Sequence, residues 1–201
     1  TAIYDCANVV RAFGALPVMA HAREEAGDMA EIAQALVLNI GTLTKRLVDS
    51  MLIAGKKAND RGIPIVLDAV GAGATALRTK EAMRLIQELH VDVVKGNASE
   101  IATLAGTEAE TKGVESGAVE GNVAEIAKKL AEEKNCVVVV TGKEDIVASK
   151  EKNLVVKNGH EMLGTVVGTG CMVTSVIGAF CAVEKNYSKA AAAALASYGI
   201  A

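Results

Sequence analysis

Ile63-Pro64-Ile65-Val66-Leu67-Asp68-Ala69-Val70-Gly71 decides the fold. The apolar run does not alternate with polar residues, so it reads as a strand buried on both faces. It ends on a carboxylate and a glycine-rich turn. Working outward, Ala35–Ile40 reads as an earlier strand, followed by a helix over Thr44–Asp60. Downstream, the pattern predicts a helix near Thr79–Leu89, a strand over Val91–Lys95 and a helix over Asn97–Ala105. Glu110–Gly121 reads as a loop, Asn122–Lys134 as a helix and Cys136–Thr141 as a strand. Ile146–Ser149 and Asn153–Val156 suggest a hairpin. Helices follow Gly170 and begin near Ser188. Apolar strands each followed by a helix imply an α/β domain with a mainly parallel sheet covered on both faces. No linker and no internal repeat divides residues 1–201, so the chain reads as one domain.

Composition narrows the function. The chain has 201 residues, 51% hydrophobic, with 19 glycines and 2 prolines, enough for a sizeable core. Net charge is −3, and no basic or basic-aromatic patch points to nucleic acid. Aromatics make up 2%, so base-stacking platforms are scarce and a pocket must be lined by aliphatic residues and Met. No apolar run is long enough to span a bilayer, and the start does not resemble a signal peptide. Cys6, Cys136, Cys171 and Cys181 lack CxxC spacing, which suits free thiols in a reducing cytoplasm. His21, His90 and His160 are far apart and form no zinc pattern; they read as surface or packing residues. The chain has no initiator Met and stops inside an Ala-rich helical run, so terminal segments are expected to be missing.

In a parallel sheet, ligands bind beyond the carboxyl ends of the strands. Here those ends are Asn39-Ile40-Gly41-Thr42, Asp68-Ala69-Val70-Gly71, Lys95-Gly96-Asn97 and Thr141-Gly142-Lys143, each polar or glycine-rich. Gly71-Ala72-Gly73-Ala74-Thr75-Ala76 looks like a dinucleotide fingerprint, but the next strand ends on Lys95-Gly96 where an acidic residue is needed. A phosphate-binding or substrate-binding turn fits better. No Walker loop occurs.

Gly168-Thr169-Gly170-Cys171 leads directly into an apolar helix. One reading is an anion site: free N–H groups and a positive dipole end attract phosphate, and the thiol there should have a lowered pKa. The other is a glycine turn before a helix with a packed cysteine. Asn97-Ala98-Ser99-Glu100 likewise has two readings. Asn97 and Glu100 can form a capping box, or Glu100, with Asp68, can position Mg²⁺ through water. Lys95 is either a phosphate partner or a plain surface lysine. Met19 is either a core filler beside Pro17 and Val18 or a flexible wall against a heterocycle.

Read together, these pieces resemble the hydroxyethylthiazole kinase family of the ribokinase-like superfamily. The matching segments are Ala7-Asn8, Gly14–Ala20, Leu38–Leu43, Val66–Thr75, Lys95–Glu100, Val140–Gly142 and Gly168–Cys171. The resemblance implies a ribokinase-like three-layer αβα sandwich that transfers the γ-phosphate of ATP to 4-methyl-5-(2-hydroxyethyl)thiazole, with Mg²⁺. It implies thiazole contacts at Met19, Gly168 and Asn8, and ATP contacts at Lys95, Thr141 and Asn97. Asp68 and Glu100 would lie near Mg²⁺ and the phosphates. Cys171 would lie beside the reacting hydroxyl, with Gly168, Thr169 and Gly170 holding the transferring group. It also implies a homotrimer with active sites between subunits. Two departures stand out: Ala69 replaces an expected proline, and family chains are longer at both ends. Other readings are a nucleotide-dependent dehydratase for hydrated nicotinamide cofactors, expected to carry aspartate at 171, and a silent small-ligand-binding oligomer.

Overall fold

Four strands in chain order lie side by side and parallel: β1 (Leu36–Asn39), β2 (Ile65–Asp68), β3 (Val93–Asn97) and β4 (Val137–Thr141). Two antiparallel strands, β5 (Asp145–Ala148) and β6 (Asn153–Val156), complete the six-stranded sheet. The structure, a computed structural model, describes residues 2–107 and 118–200. Parallel crossovers are right-handed, so a sheet that grows steadily in one direction places its crossover helices on one face. These helices are α3 (Lys45–Arg61), α4 (Ala76–Glu88), α5 (Ala98–Leu104) and α6 (Ala118–Lys134). The other face must be covered from the chain's ends. There α1 (Ile3–Ala12) packs on α7 (Thr169–Val183), and α8 (Tyr187–Ile200) packs beside α7. The remaining pieces are α2 (Arg23–Ile32), which lies against α3, and a short 3-10 turn over Glu161–Thr165.

Strand periodicity divides the core. Ile65, Leu67, Val138 and Val140 join the apolar cluster under α3–α6. Val66, Val93, Val137 and Val139 join the second cluster, with Val176, Ile177 and Leu195 of α7 and α8. This is the three-layer α/β sandwich with a mainly parallel sheet. The strand and helix positions match the sequence reading within a few residues, with differences of physical origin. β3 runs on through Lys95 to Asn97 because its partner β4 supplies pairing to Thr141. The chain forms helices α1 and α2, for which the sequence reading assigned no element. Residues 118–121 of the expected Glu110–Gly121 loop open α6, since Ala118, Val119 and Glu120 suit a helix and one glycine is tolerated. Residues 108–117 of that loop lie outside the described residues.

Candidate active site

The strand register builds the centre of the site. Asn39 pairs with Asp68, and Asp68 with Lys95, at the carboxyl ends of three adjacent strands. Side chains two apart share a face, so Asp68 and Lys95 point the way Val66 and Val93 do, toward α7. Asp68 is fully buried. Its Oδ2 accepts from Asn39 Nδ2 at 2.9 Å and is paired with Thr174 Oγ1 at 2.9 Å. Its Oδ1 meets Lys95 Nζ at 3.3 Å. Burial pushes the Asp68 carboxyl up, and the Lys95 ammonium and the Thr174 hydroxyl partly offset this. Lys95 is 5% exposed, so it is neither a surface lysine nor unpaired.

α7 starts directly above this pair. Gly168 stands at its N-cap with φ 99°, and no side chain caps the helix. Its first-turn N–H groups therefore remain available to an anion. Thr169 Oγ1 turns back to donate to Leu163 O at 2.9 Å, which anchors the preceding turn. A Cβ on Gly170 would lie 3.0 Å from Lys95 Nζ. The glycine thus lets the ammonium approach the helix end. Cys171 is half-buried on the same turn. Its thiol pKa is raised, contrary to the sequence expectation: burial pushes it up first and the Asp68 charge adds to this. A hydrogen bond with Asn39 and the charge of Lys95 pull the other way without winning. Cys6, on α1, is buried near the same group, and its thiol is likewise raised by burial.

A second cluster adjoins the first. Asn97 caps α5 and accepts from Glu100 N at 2.9 Å, while Glu100 Oε2 accepts from Asn97 N at 2.7 Å. Glu100 Oε1 accepts from Gly71 N at 2.7 Å, which ties the β2–α4 turn to α5. The capping box is therefore real. An open cavity of about 940 Å³ borders Glu100, Asn97 and the Gly71–Ala76 turn; the Gly168–Cys171 turn does not line it. Its size suits a ligand of nucleotide dimensions.

Among the described residues, no three His, Cys, Asp or Glu side chains gather to hold a metal ion. Glu100 receives one N–H on each oxygen and keeps further lone pairs at the cavity, so it suits an outer, water-mediated place beside Mg²⁺. Asp68 suits that role less: it has no exposed surface, and its oxygens face Asn39, Thr174 and Lys95 within the protein. Thr141 is half-buried, and its hydroxyl lies 3.5 Å from Gly96 O, at the edge of hydrogen bonding. Asn8 is exposed on α1, and Met19 is 41% exposed between α1 and α2. Met19 is therefore not a core filler. The structure joins Asp68, Lys95, Gly170 and Cys171 closely, and Asn97 to Glu100. It leaves Asn8 and Met19 on the outside of a single chain.

The sequence profile described as "Hydroxyethylthiazole kinase family" matches residues 2–201. The chain belongs to the hydroxyethylthiazole kinase family. It is 55% identical over 197 residues to hydroxyethylthiazole kinase of Methanosarcina acetivorans, covering 98% of this chain and 76% of that one. Against the Methanocella arvoryzae hydroxyethylthiazole kinase, identity is 56% over 199 residues, covering 99% and 75%. The solved hydroxyethylthiazole kinase of Pyrococcus horikoshii superposes with a TM-score of 0.91 at 44% identity, over 100% of this chain and 74% of that chain. Adenosine kinase from Sinorhizobium meliloti, at 16% identity and TM-score 0.64, covers 87% of this chain and 50% of its own; it shares the fold. Within the hydroxyethylthiazole kinase family frame, two residues go beyond those singled out from sequence. Asn39 and Thr174 complete the environment of Asp68. Asn39 was legible as a polar strand end; Thr174 was hidden within an apolar helix.

Proposed function

We propose that this chain transfers the γ-phosphate of ATP to the hydroxyl of 4-methyl-5-(2-hydroxyethyl)thiazole. The observation that carries this is the uncapped start of α7 at Gly168–Cys171 with the Lys95 ammonium set against Gly170. Such a turn binds the transferring phosphoryl group through backbone N–H groups, and Lys95 adds positive charge beneath it. Asp68 holds Lys95 in place and is itself held by Asn39 and Thr174. Cys171 stays protonated at neutral pH, because its pKa lies above the ordinary thiol value. It therefore orients the substrate hydroxyl more than it removes the proton, which a loose transition state tolerates. Mg²⁺ carried on the nucleotide would neutralise phosphate charge when bound, and Glu100 would meet it through water. Thr141 and Asn97 border the nucleotide. Met19 and Asn8 complete the thiazole pocket across a contact between copies in a homotrimer. Their exposure on one chain supports this reading. Cysteine at 171 speaks against the dehydratase alternative.

The test is ADP formation with and without the thiazole alcohol. ADP that depends on the alcohol, with the phosphate ester found in equal amount, supports the reading. Binding of the alcohol without ADP formation overturns it.

A further inference from the structure

Arg78 lies on the first turn of α4, outside the residues that contact phosphate or thiazole in the reading above. Its guanidinium makes three hydrogen bonds, all to main-chain carbonyls. Nη1 donates to Ile40 O and to Val70 O, each at 2.9 Å, and Nη2 donates to Gly41 O at 2.8 Å. Ile40 and Gly41 follow β1; Val70 follows β2. The planar fork therefore bridges two turns that no strand pairing joins beyond Asn39 and Asp68.

The space around the fork is cleared for it. Gly71 has φ 76°, and a Cβ there would sit 2.8 Å from Arg78 Cδ. A Cβ on Gly41 would lie 2.9 Å from Asn39 Oδ1. That oxygen accepts from Gly41 N at 2.8 Å, so Gly41 is gripped on its carbonyl by Arg78 and on its N–H by Asn39. The other end of the Asn39 amide donates to Asp68 Oδ2. A continuous path of hydrogen bonds runs from Arg78 through Gly41 and Asn39 to Asp68, and from Asp68 to Lys95. Thr75 caps α4 through Arg78 N at 3.3 Å, which fixes the base from which the side chain reaches.

We propose that Arg78 is a positioning residue for the phosphoryl transfer: by clamping the β1–α3 and β2–α4 turns together, it sets the Asn39 amide that aims the Asp68 carboxylate, and through it the Lys95 ammonium. This rests on the kinase reading. Arg78 touches no reacting atom, so its loss should misplace the catalytic groups and leave substrate binding largely intact.

The experiment compares the unaltered chain with Arg78→Gln, Arg78→Lys, Asn39→Ala and the Arg78→Gln/Asn39→Ala double variant, using ADP formation with the thiazole alcohol and thermal unfolding. The expected result is a kcat lower by about ten- to a hundredfold for Arg78→Gln, as small misplacements cost. KM for ATP and for the alcohol should stay within about twofold, well short of that loss. Arg78→Lys should not restore kcat, since a lone ammonium lacks the planar second nitrogen that holds Gly41 O while Nη1 bridges Ile40 O and Val70 O. On the Asn39→Ala background, Arg78→Gln should cost less than about twofold, because the path is already broken. Unchanged kcat in folded Arg78→Gln overturns the role. So do fully additive losses, and so does activity that follows the folded fraction in both Arg78 variants. If the unaltered chain makes no ADP with the alcohol, the kinase reading fails first and this role falls with it.

Discussion

Glu100 ties together two turns at the edge of the candidate site. Its two oxygens hold the N–H groups of Gly71 and Asn97, on different turns. Glutamine offers one acceptor oxygen and turns an NH₂ toward the other donor. Glu100→Gln should therefore lower unfolding free energy by about 1–3 kcal/mol in urea titrations, with or without Mg²⁺. Unaltered stability would show that the capping box contributes nothing. Cys171 gives a second expectation. Its pKa is raised by burial and by Asp68, so the protonated thiol dominates below the raised value. Cys171→Ser should then cost about tenfold in kcat, short of the loss of a full general base. The kcat profile of the unaltered chain should have no thiol inflection between pH 6 and 8. An inflection near neutrality that vanishes in the serine variant would make Cys171 the base.

At the scale of elements, α7 carries both the uncapped glycine turn at Gly168–Gly170 and part of the second core. Its outer end is kept open by Gly168 and Gly170, while its buried face meets the sheet through Val173, Val176 and Ile177. Gly178 sets how closely the helix approaches β1: a Cβ there would lie 2.4 Å from Val37 Cγ2. Alanine favours a helix over glycine by about 1 kcal/mol. Overpacking costs about 1–3 kcal/mol and should win. Gly178→Ala should therefore destabilise the chain in denaturant titration despite its better propensity. It should also depress kcat, because the rigid helix passes the shift to Gly170 and Cys171. A more stable variant would show that the helix can move away freely. Ala69 belongs to this scale as well. Its N–H donates to Lys95 O at 2.9 Å, a bond the expected proline could not make.

For the whole molecule, the exposed apolar residues are informative. Leu16, Val18 and Met19 stand beyond α1, and Met162, Val166 and Val167 lead to the glycine turn that opens α7. Burial of such residues between copies would complete the thiazole pocket, so sedimentation should return a mass near three times the 20.7 kDa of one chain. A monomer that binds the alcohol as tightly as the assembly would defeat the shared pocket. The layer order was legible in the sequence because the strands are apolar on both sides and helices alternate with them. The site's location was legible because polar residues and glycines gather at four strand ends. The helices α1 and α2 were less legible: each has 10 residues and buries only two side chains, Cys6 and Val10 in the first and Ala26 and Ala30 in the second. The sequence by itself determined the α/β class, the parallel sheet and the glycine turn at Gly168–Cys171, since each depends on local pattern or spacing; it offered the capping box at Asn97–Glu100 as one of two readings. Only the tertiary structure decided that Lys95 is buried against Asp68, that Thr174 joins them, that the Cys171 pKa rises and that Arg78 bridges two turns. Those outcomes depend on which distant residues share a low-dielectric space, and separation along the chain carries no record of that.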